Sequence, residues 1–203
     1  MTLRGRLIMF FPLVMVTLIV LLAVDLIRAP SFTGVALLLF VLYLLPPLCF
    51  RIHNWVCPLR EGKEDLSDDG RYSAWWGSQQ FQIAYSVIPQ LEGLLRLVPG
   101  GYSAWLRLWG SEIGRGVFWA PVMQVIDRSL LCVGDRVFFG YETALVCHTV
   151  TPKAGRQVLR VLRIHVGSGA FVAGRCGLGP GARVPPDAYL RFGSQVYFGG
   201  RSK

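Results

Sequence analysis

The chain has 203 residues, 53% of them apolar, and a formal net charge of +9. That length allows one domain of moderate size, but the apolar residues crowd the N-terminus, which excludes an ordinary soluble domain from end to end. Residues 1–100 carry eight Lys/Arg and seven Asp/Glu, and residues 101–203 carry thirteen and five; the basic C-terminal half suits nucleic acid, anionic lipid or a phosphorylated small molecule.

Residues 7–24 and 29–50 are both uncharged. Each run is close to the roughly 18–20 apolar residues that cross a bilayer core. Asp25, Arg28, Pro30 and Gly34 lie at the junction. The expectation is a transmembrane helical hairpin over 1–57, with spans at about 7–27 and 32–50. A signal peptide is the competing reading, because Arg4 and Arg6 form a basic start. No small-residue cleavage site follows, and a second apolar run comes at once. Arg4 and Arg6 precede the first span, and Arg51, Arg60 and Lys63 follow the second. The positive-inside bias then places both ends in the cytoplasm.

Residues 58–72 are polar, with Asp65, Asp68, Asp69 and Gly70, and read as a loop leaving the membrane. Trp75, Trp76, Phe81, Ala84, Tyr85 and Ile88 fit one side of a helix broken by Pro89. Leu91, Leu94, Leu95 and Val98 follow amphipathic-helix spacing. The segment 58–100 is therefore expected to be a polar loop and amphipathic helices, lying at the membrane interface or capping the next core. The cysteines, Cys49, Cys57, Cys132, Cys147 and Cys176, show no C-x-x-C spacing. Their odd number suits reduced thiols used as small apolar fillers.

Beyond Pro99 and Gly100 the period changes to six. Val166, Val172, Leu178 and Val184 lead successive blocks, with Ala170, Cys176, Ala182 and Ala188 four places after each leader. Earlier, Ile113, Trp119 and Val125 keep the same step. A two-residue insertion follows, and Val133, Phe139 and Leu145 resume it, with Val137, Thr143 and Thr149 at the offset positions. Met123 is the misfit. A short fixed period indicates a solenoid. The leaders point inward and stack on their copies, while small residues occupy tight corners, so stacked coils share one core. An ordinary β-rich domain does not predict such regularity.

Residues from about 102 to 190 resemble the hexapeptide-repeat acyltransferases, a family that includes galactoside, serine and xenobiotic acetyltransferases. The resemblance covers under half the chain. It implies a mainly β fold, a left-handed parallel β-helix over 101–190, with a basic tail over 191–203. It also implies a homotrimer with active sites between subunits, and acyl-coenzyme A as cosubstrate, acetyl-coenzyme A first, with no metal.

Residues 150–163 interrupt the period and so form an extruded loop. His148 stands immediately before it. Members of the family carry their catalytic histidine beside such a loop, so the resemblance points to His148 as general base. It would take the acceptor's proton during attack on a thioester. His165, on a coil after the loop, fits less well, and His53 reads as an interfacial residue. Asp127, one coil before His148, or Glu142, in the adjacent block, is expected to orient the imidazole. Trp119, Tyr141 and Lys153 are candidate substrate contacts. For the coenzyme, the resemblance points to Gly167, Ser168, Ala173, Gly174, Arg175 and Arg183, with Arg201 and Lys203 within reach of phosphate.

Three histidines without ligand spacing argue against the metal chemistry that a left-handed β-helix also serves. No nucleic-acid module is recognisable. The function expected is acyl transfer to a hydroxyl or amine of a membrane-associated or lipid-linked acceptor. The setting is a bacterial-type inner membrane, multi-pass, with the catalytic domain in the cytoplasm. An acyl-carrier-protein-dependent fatty acyltransferase and a non-catalytic trimeric scaffold are the alternatives.

Overall fold

The computed structural model describes residues 2–68 and 70–198. Asp69, Arg201 and Lys203, named above, lie outside the described residues. The chain divides into two compact units, one of residues 1–59 and 69–84 and one of residues 60–68 and 85–203.

The first unit opens with α1 (Leu3–Ile8), α2 (Phe11–Arg28), α3 (Phe32–Tyr43) and α4 (Leu45–Val56). Asp25 and Arg28 complete the last turn of α2. Ser31 caps α3 by accepting from the Gly34 N–H at 3.0 Å. The apolar side chains of α2 face outward: Leu13, Val14, Leu18 and Leu21 are exposed, and Met15 is the one buried residue of the helix. Residues Leu3–Arg28 make one helical stretch long and apolar enough to cross a membrane. The second apolar run departs from the expected single span. It forms α3 and α4, which meet at a 43° bend. Pro46 and Pro47 stand in the first turn of α4. A proline there has no N–H to give and its ring collides with the preceding turn, so a straight helix cannot run through. The unit also holds His53, whose Nε2 lies 2.6 Å from the Tyr72 hydroxyl.

The second unit begins with β1 (Gly62–Asp65), inside the segment expected to be a loop. The chain then forms α5 (Ala74–Val87), α6 (Gln90–Arg96) and α7 (Gly101–Trp109). Pro89 separates α5 from α6, as its position requires. In and just after α6 the expected stripe is not buried: Leu91 and Leu95 are half-buried, Leu94 and Val98 are exposed, and the buried residue is Glu92. Glu92 turns inward because Arg96, Arg128 and Tyr102 meet its carboxylate there. Residues 101–109 are helix rather than the first coil. Tyr102, Trp105, Leu106 and Trp109 are at most 3% exposed; their i, i+3, i+4, i+7 spacing buries one face of α7.

Four coils follow. The first is β2 (Glu112–Ile113), β3 (Phe118–Trp119) and β4 (Gln124–Val125). The second is β5 (Leu131–Val133), β6 (Phe138–Phe139) and β7 (Ala144–Leu145). The hairpin of β8 (His148–Lys153) and β9 (Arg156–Val161) intervenes. The third coil is β10 (Ile164–Val166), β11 (Phe171–Val172) and β12 (Gly177–Leu178), and the fourth is β13 (Arg183–Val184), β14 (Tyr189–Leu190) and β15 (Gln195–Val196). Corresponding strands pair in parallel into three four-stranded sheets, so the coils form a three-faced β-helix. The coils continue past 190, because Val196 keeps the six-residue step from Leu190 and β15 pairs with β12.

Every block leader points inward. Ile113, Val133, Val166 and Val184 stack on face 1, Trp119, Phe139, Val172 and Leu190 on face 2, and Val125, Leu145, Leu178 and Val196 on face 3; none is more than 7% exposed. The outward columns differ in chemistry. Face 1 shows Glu112, Cys132, His165 and Arg183. Face 2 shows Phe118, Phe138, Phe171 and Tyr189, with the first three rings stacked at 4.6 and 4.5 Å. Face 3 shows Gln124, Ala144, Gly177 and Gln195.

The segment expected to be an extruded loop is an ordered antiparallel sheet, β1-β9-β8. Ala154 and Gly155 form its turn with φ of +48° and +74°, the left-handed pair that suits a two-residue hairpin.

Phe139 is fully buried and stacks on Trp119 at 4.8 Å, whereas Phe171 stands outside. Phe139→Ala is expected to destabilise the β-helix by about 3–5 kcal/mol. Phe171→Ala should cost roughly 1 kcal/mol or less. Denaturant unfolding of the detergent-solubilised chain, followed by circular dichroism, checks the contrast; equal losses would contradict the inward and outward assignment.

Candidate active site

The site forms on the edge where face 3 turns into face 1. In the third coil this corner is short, Gly179-Pro180-Gly181. In the first coil it carries the two-residue insertion, Ile126 to Leu130. In the second it carries the hairpin. The corners stack through backbone bonds: the Ile126 N–H donates to Leu145 O at 3.0 Å, Val146 N–H to Leu178 O at 3.0 Å, and Gly179 N–H to Val196 O at 2.8 Å. The insertion therefore lies directly over the start of the hairpin, one coil away.

That stacking brings Asp127 to His148. Asp127 Oδ2 accepts from the Cys147 N–H at 2.8 Å, and His148 Nδ1 stands 2.8 Å from Oδ2 and 3.0 Å from Oδ1. Asp127 is 1% exposed, while the His148 side chain is 19% exposed. A carboxylate accepts, so Nδ1 donates the proton in this bond. The adjacent Cys147 is no rival nucleophile: burial, and then the charge of Asp127, hold its thiol well above the ordinary range.

His148 opens on a groove of about 390 Å³, which Thr149 and Arg160 line from the hairpin and Ala144, Gly177 and Gly179 line from face 3. Tyr197 and Phe198 stand at its other side. The floor is made of glycines packed against side chains of the fourth coil. A Cβ on Gly177 would come within 2.1 Å of Gln195 Oε1, and one on Gly179 within 2.4 Å of the Tyr197 ring. Arg160 lies over the Phe198 ring at 4.6 Å.

The other residues singled out from sequence lie elsewhere. Glu142 sits on the corner from face 2 to face 3 with φ of +56°, and its carboxylate meets Arg175 Nε at 2.5 Å. Bonds from Tyr141 and then Arg175 hold that carboxyl below its usual range. Tyr141, Glu142 and Arg175 thus form a surface cluster away from His148. Trp119 is a core residue: it points inward, and its Nε1–H donates to Ser103 Oγ at 2.8 Å. Lys153 is at the hairpin tip opposite Arg156, roughly 17 Å along an extended strand from His148. Gly167 and Arg183 line a separate groove on face 1, with His165 and Cys132. Ser168 Oγ accepts from the Asp135 N–H at 3.0 Å. Ala173 and Gly174 lie on the same corner as Arg175. The expected coenzyme residues are therefore divided between two other parts of the prism, and the groove at His148 is built from Arg160, Gly177, Gly179 and Tyr197 instead. Alternation around Ala154-Gly155, Thr149 to Lys153 against Arg156 to Arg160, is the signal that would have placed Arg160 there. Among the described residues, no group of three or more His, Cys, Asp or Glu could hold a metal ion.

No protein-family model and no curated sequence matches the chain. Among solved structures, a hexapeptide-repeat-containing acetyltransferase from Vibrio cholerae is similar over 58% of this chain and 86% of its own, at 14% identity and a TM-score of 0.34. Serine acetyltransferase isoform 3 from Entamoeba histolytica, in complex with cysteine, is similar over 78% of this chain, at 12% identity and a TM-score of 0.32. The chain spans 57% of that enzyme's length. Likeness at this level identifies neither a substrate nor a residue role here.

The geometry separates the two carboxylates. Asp127→Asn is expected to shift the His148 ring toward the Nε2–H tautomer, because an amide can present a donor to Nδ1. Glu142→Gln should leave that ring unchanged, since its partner is an exposed arginine. Nitrogen-15 shifts of labelled histidine in each purified variant measure both.

Proposed function

We propose that the chain is a membrane-anchored acyltransferase that moves an acyl group from a thioester to a hydroxyl or amine. The observation that carries this reading is the buried Asp127 carboxylate bonded to Nδ1 of His148, a side chain that lines a groove. Nε2 takes the acceptor's proton as its oxygen or nitrogen attacks the thioester carbonyl. The acceptor–acyl bond forms, the C–S bond breaks, and the proton passes to the departing thiolate. No covalent intermediate on the protein is required.

Acyl-coenzyme A is the donor in this reading, acetyl-coenzyme A first. A narrow groove with a glycine floor suits a slender pantetheine arm, and Arg160 supplies a cation beside it. Leu178, Pro180, Tyr197 and Phe198 also line the groove. That apolar lining favours, as a second reading, a longer acyl chain delivered by acyl carrier protein.

The anchor rests on α2, whose exposed side chains are apolar along its length. A soluble helix would turn that surface inward. A bilayer anchor favours a lipid-linked or amphipathic acceptor. Basic residues at both ends of the helical segment favour the cytoplasmic side of an inner membrane. The exposed aromatic column of face 2 supports self-association, with a homotrimer the expected form.

His148→Ala is expected to lower kcat by about 10²–10⁴-fold. Cells carrying it should lack one acyl group on a membrane lipid or surface glycan, seen by mass spectrometry. Unchanged turnover in the purified variant would sink the general base, whereas a wild type with no turnover would leave the scaffold reading. Release of the full chain from membranes without detergent would sink the anchor.

A further inference from the structure

The corner that carries Asp127 has an unusual support. The guanidinium of Arg128, the next residue, is 1% exposed. Its Nε and Nη2 both meet Glu92 Oε1 at 2.5 Å, and its Nη1 donates to Ile126 O at 3.1 Å. The other Glu92 oxygen accepts from the Tyr102 hydroxyl at 2.7 Å and from Arg96 at 2.9 Å. The Arg128 carbonyl accepts from Ser111 Oγ at 2.8 Å, and that same oxygen accepts from the Leu131 N–H at 2.9 Å. Asp127 thus lies between two carbonyls, those of residues 126 and 128, each tied down by a side chain.

The corner needs such ties. It is two residues longer than the repeat, so the parallel ladder does not fix it as it fixes a regular corner. A buried ion pair is a poor source of stability, because desolvation cancels most of its attraction. Apolar packing would serve the core at least as well. What a fork on a carboxylate does supply is direction. Arg128 is held at both ends of its side chain, and the backbone between Ile126 and Arg128 is left little freedom. The Asp127 carboxylate is thereby aimed at the Cys147 N–H and at His148.

We propose that Glu92 and Arg128 are positioning residues, which fix the Asp127 corner and through it the orientation and tautomer of His148. The proposal rests on the catalytic reading for its consequence but not for its geometry.

The test reads the imidazole directly. Nitrogen-15-labelled histidine in the detergent-solubilised full chain reports the tautomer of each ring, and the His148 signals are those lost in His148→Ala. The wild type is expected to show the Nδ1–H form. Arg128→Lys keeps the charge but loses the fork, and Glu92→Gln keeps the oxygen but loses the charge. Both should shift His148 toward the Nε2–H form. They should also lower the turnover of acetyl-coenzyme A about tenfold, with its KM within twofold. Tyr102→Phe removes one bond from Glu92 and should give a smaller shift in the same direction, should the charged variants not fold. In an Asp127→Asn background, Arg128→Lys should cost nothing further. An unchanged tautomer in folded variants, or an equal cost in both backgrounds, would overturn the proposal. A tautomer that responds in a chain inert toward acetyl-coenzyme A would support the positioning and remove the acetyl-transfer reading.

Discussion

One constraint governs the coiled half of this protein: each coil must lie on the coil before it at the spacing of a parallel strand pair, about 4.8 Å. At that distance only an aliphatic or aromatic leader fits inside, and only a small side chain fits the adjoining corner. Val137, Thr143, Ala170, Cys176 and Ala182 occupy corners at no more than 1% exposure. Anything larger has to leave the coil. The same rule then makes departures from the period meaningful. Two occur on a single edge, one coil apart, so stacking brings the two corners together. The Asp127–His148 contact is a consequence of coil geometry rather than of any local motif.

The helices around the coils obey a different balance. In α7 the familiar rule holds, and its aromatic face covers the first coil, with Tyr102 packed edge-on against Trp119 at 5.3 Å. In α6 it fails, because a carboxylate lies inside and leucines lie outside. Burial of Glu92 is tolerable where two guanidinium groups and a hydroxyl satisfy it. The same environment keeps Tyr102 protonated: burial first, then the charge of Glu92, raise its hydroxyl far above the usual range.

The coils were legible in the sequence because their code is strict. Block leaders from Ile113 to Val184 could be counted, and the insertion before Val133 was visible as a lost step. The code is silent on what lies between repeats. The hairpin was visible as an interruption, but its register depends on a turn at Ala154-Gly155 and on pairing with Gly62–Asp65, far away in the chain. Arg160 and Tyr197 could not be assigned to the groove without that register. Helix α7 has plain helical spacing, but residues 101–109 run straight into the six-residue period that follows, which masks their boundary. The bend at Leu44 was written in Pro46 and Pro47, where composition alone shows one apolar run. Glu92 could not have been placed inside from periodicity, because its partners Tyr102 and Arg128 lie ten and thirty-six residues away.

The two histidines of the coiled unit show what separates a reactive group from a surface one. His165 stands in a regular outward column between Cys132 and Arg183. Its ring faces an open groove of about 920 Å³. No carboxylate is bonded to it among the described residues, so nothing there selects a tautomer. His148 opens β8 immediately after the coil breaks off, and it lines a groove. The Asp127 carboxylate, 1% exposed, is bonded to its Nδ1. Imidazole chemistry is the same at both positions. The difference lies in the corner, which has room for an extra acidic residue and the buried arginine beside it. The side chains that meet across coils, Asp127 and His148, are thus those placed where the repeat is violated, and the regular coils hold the violations in register.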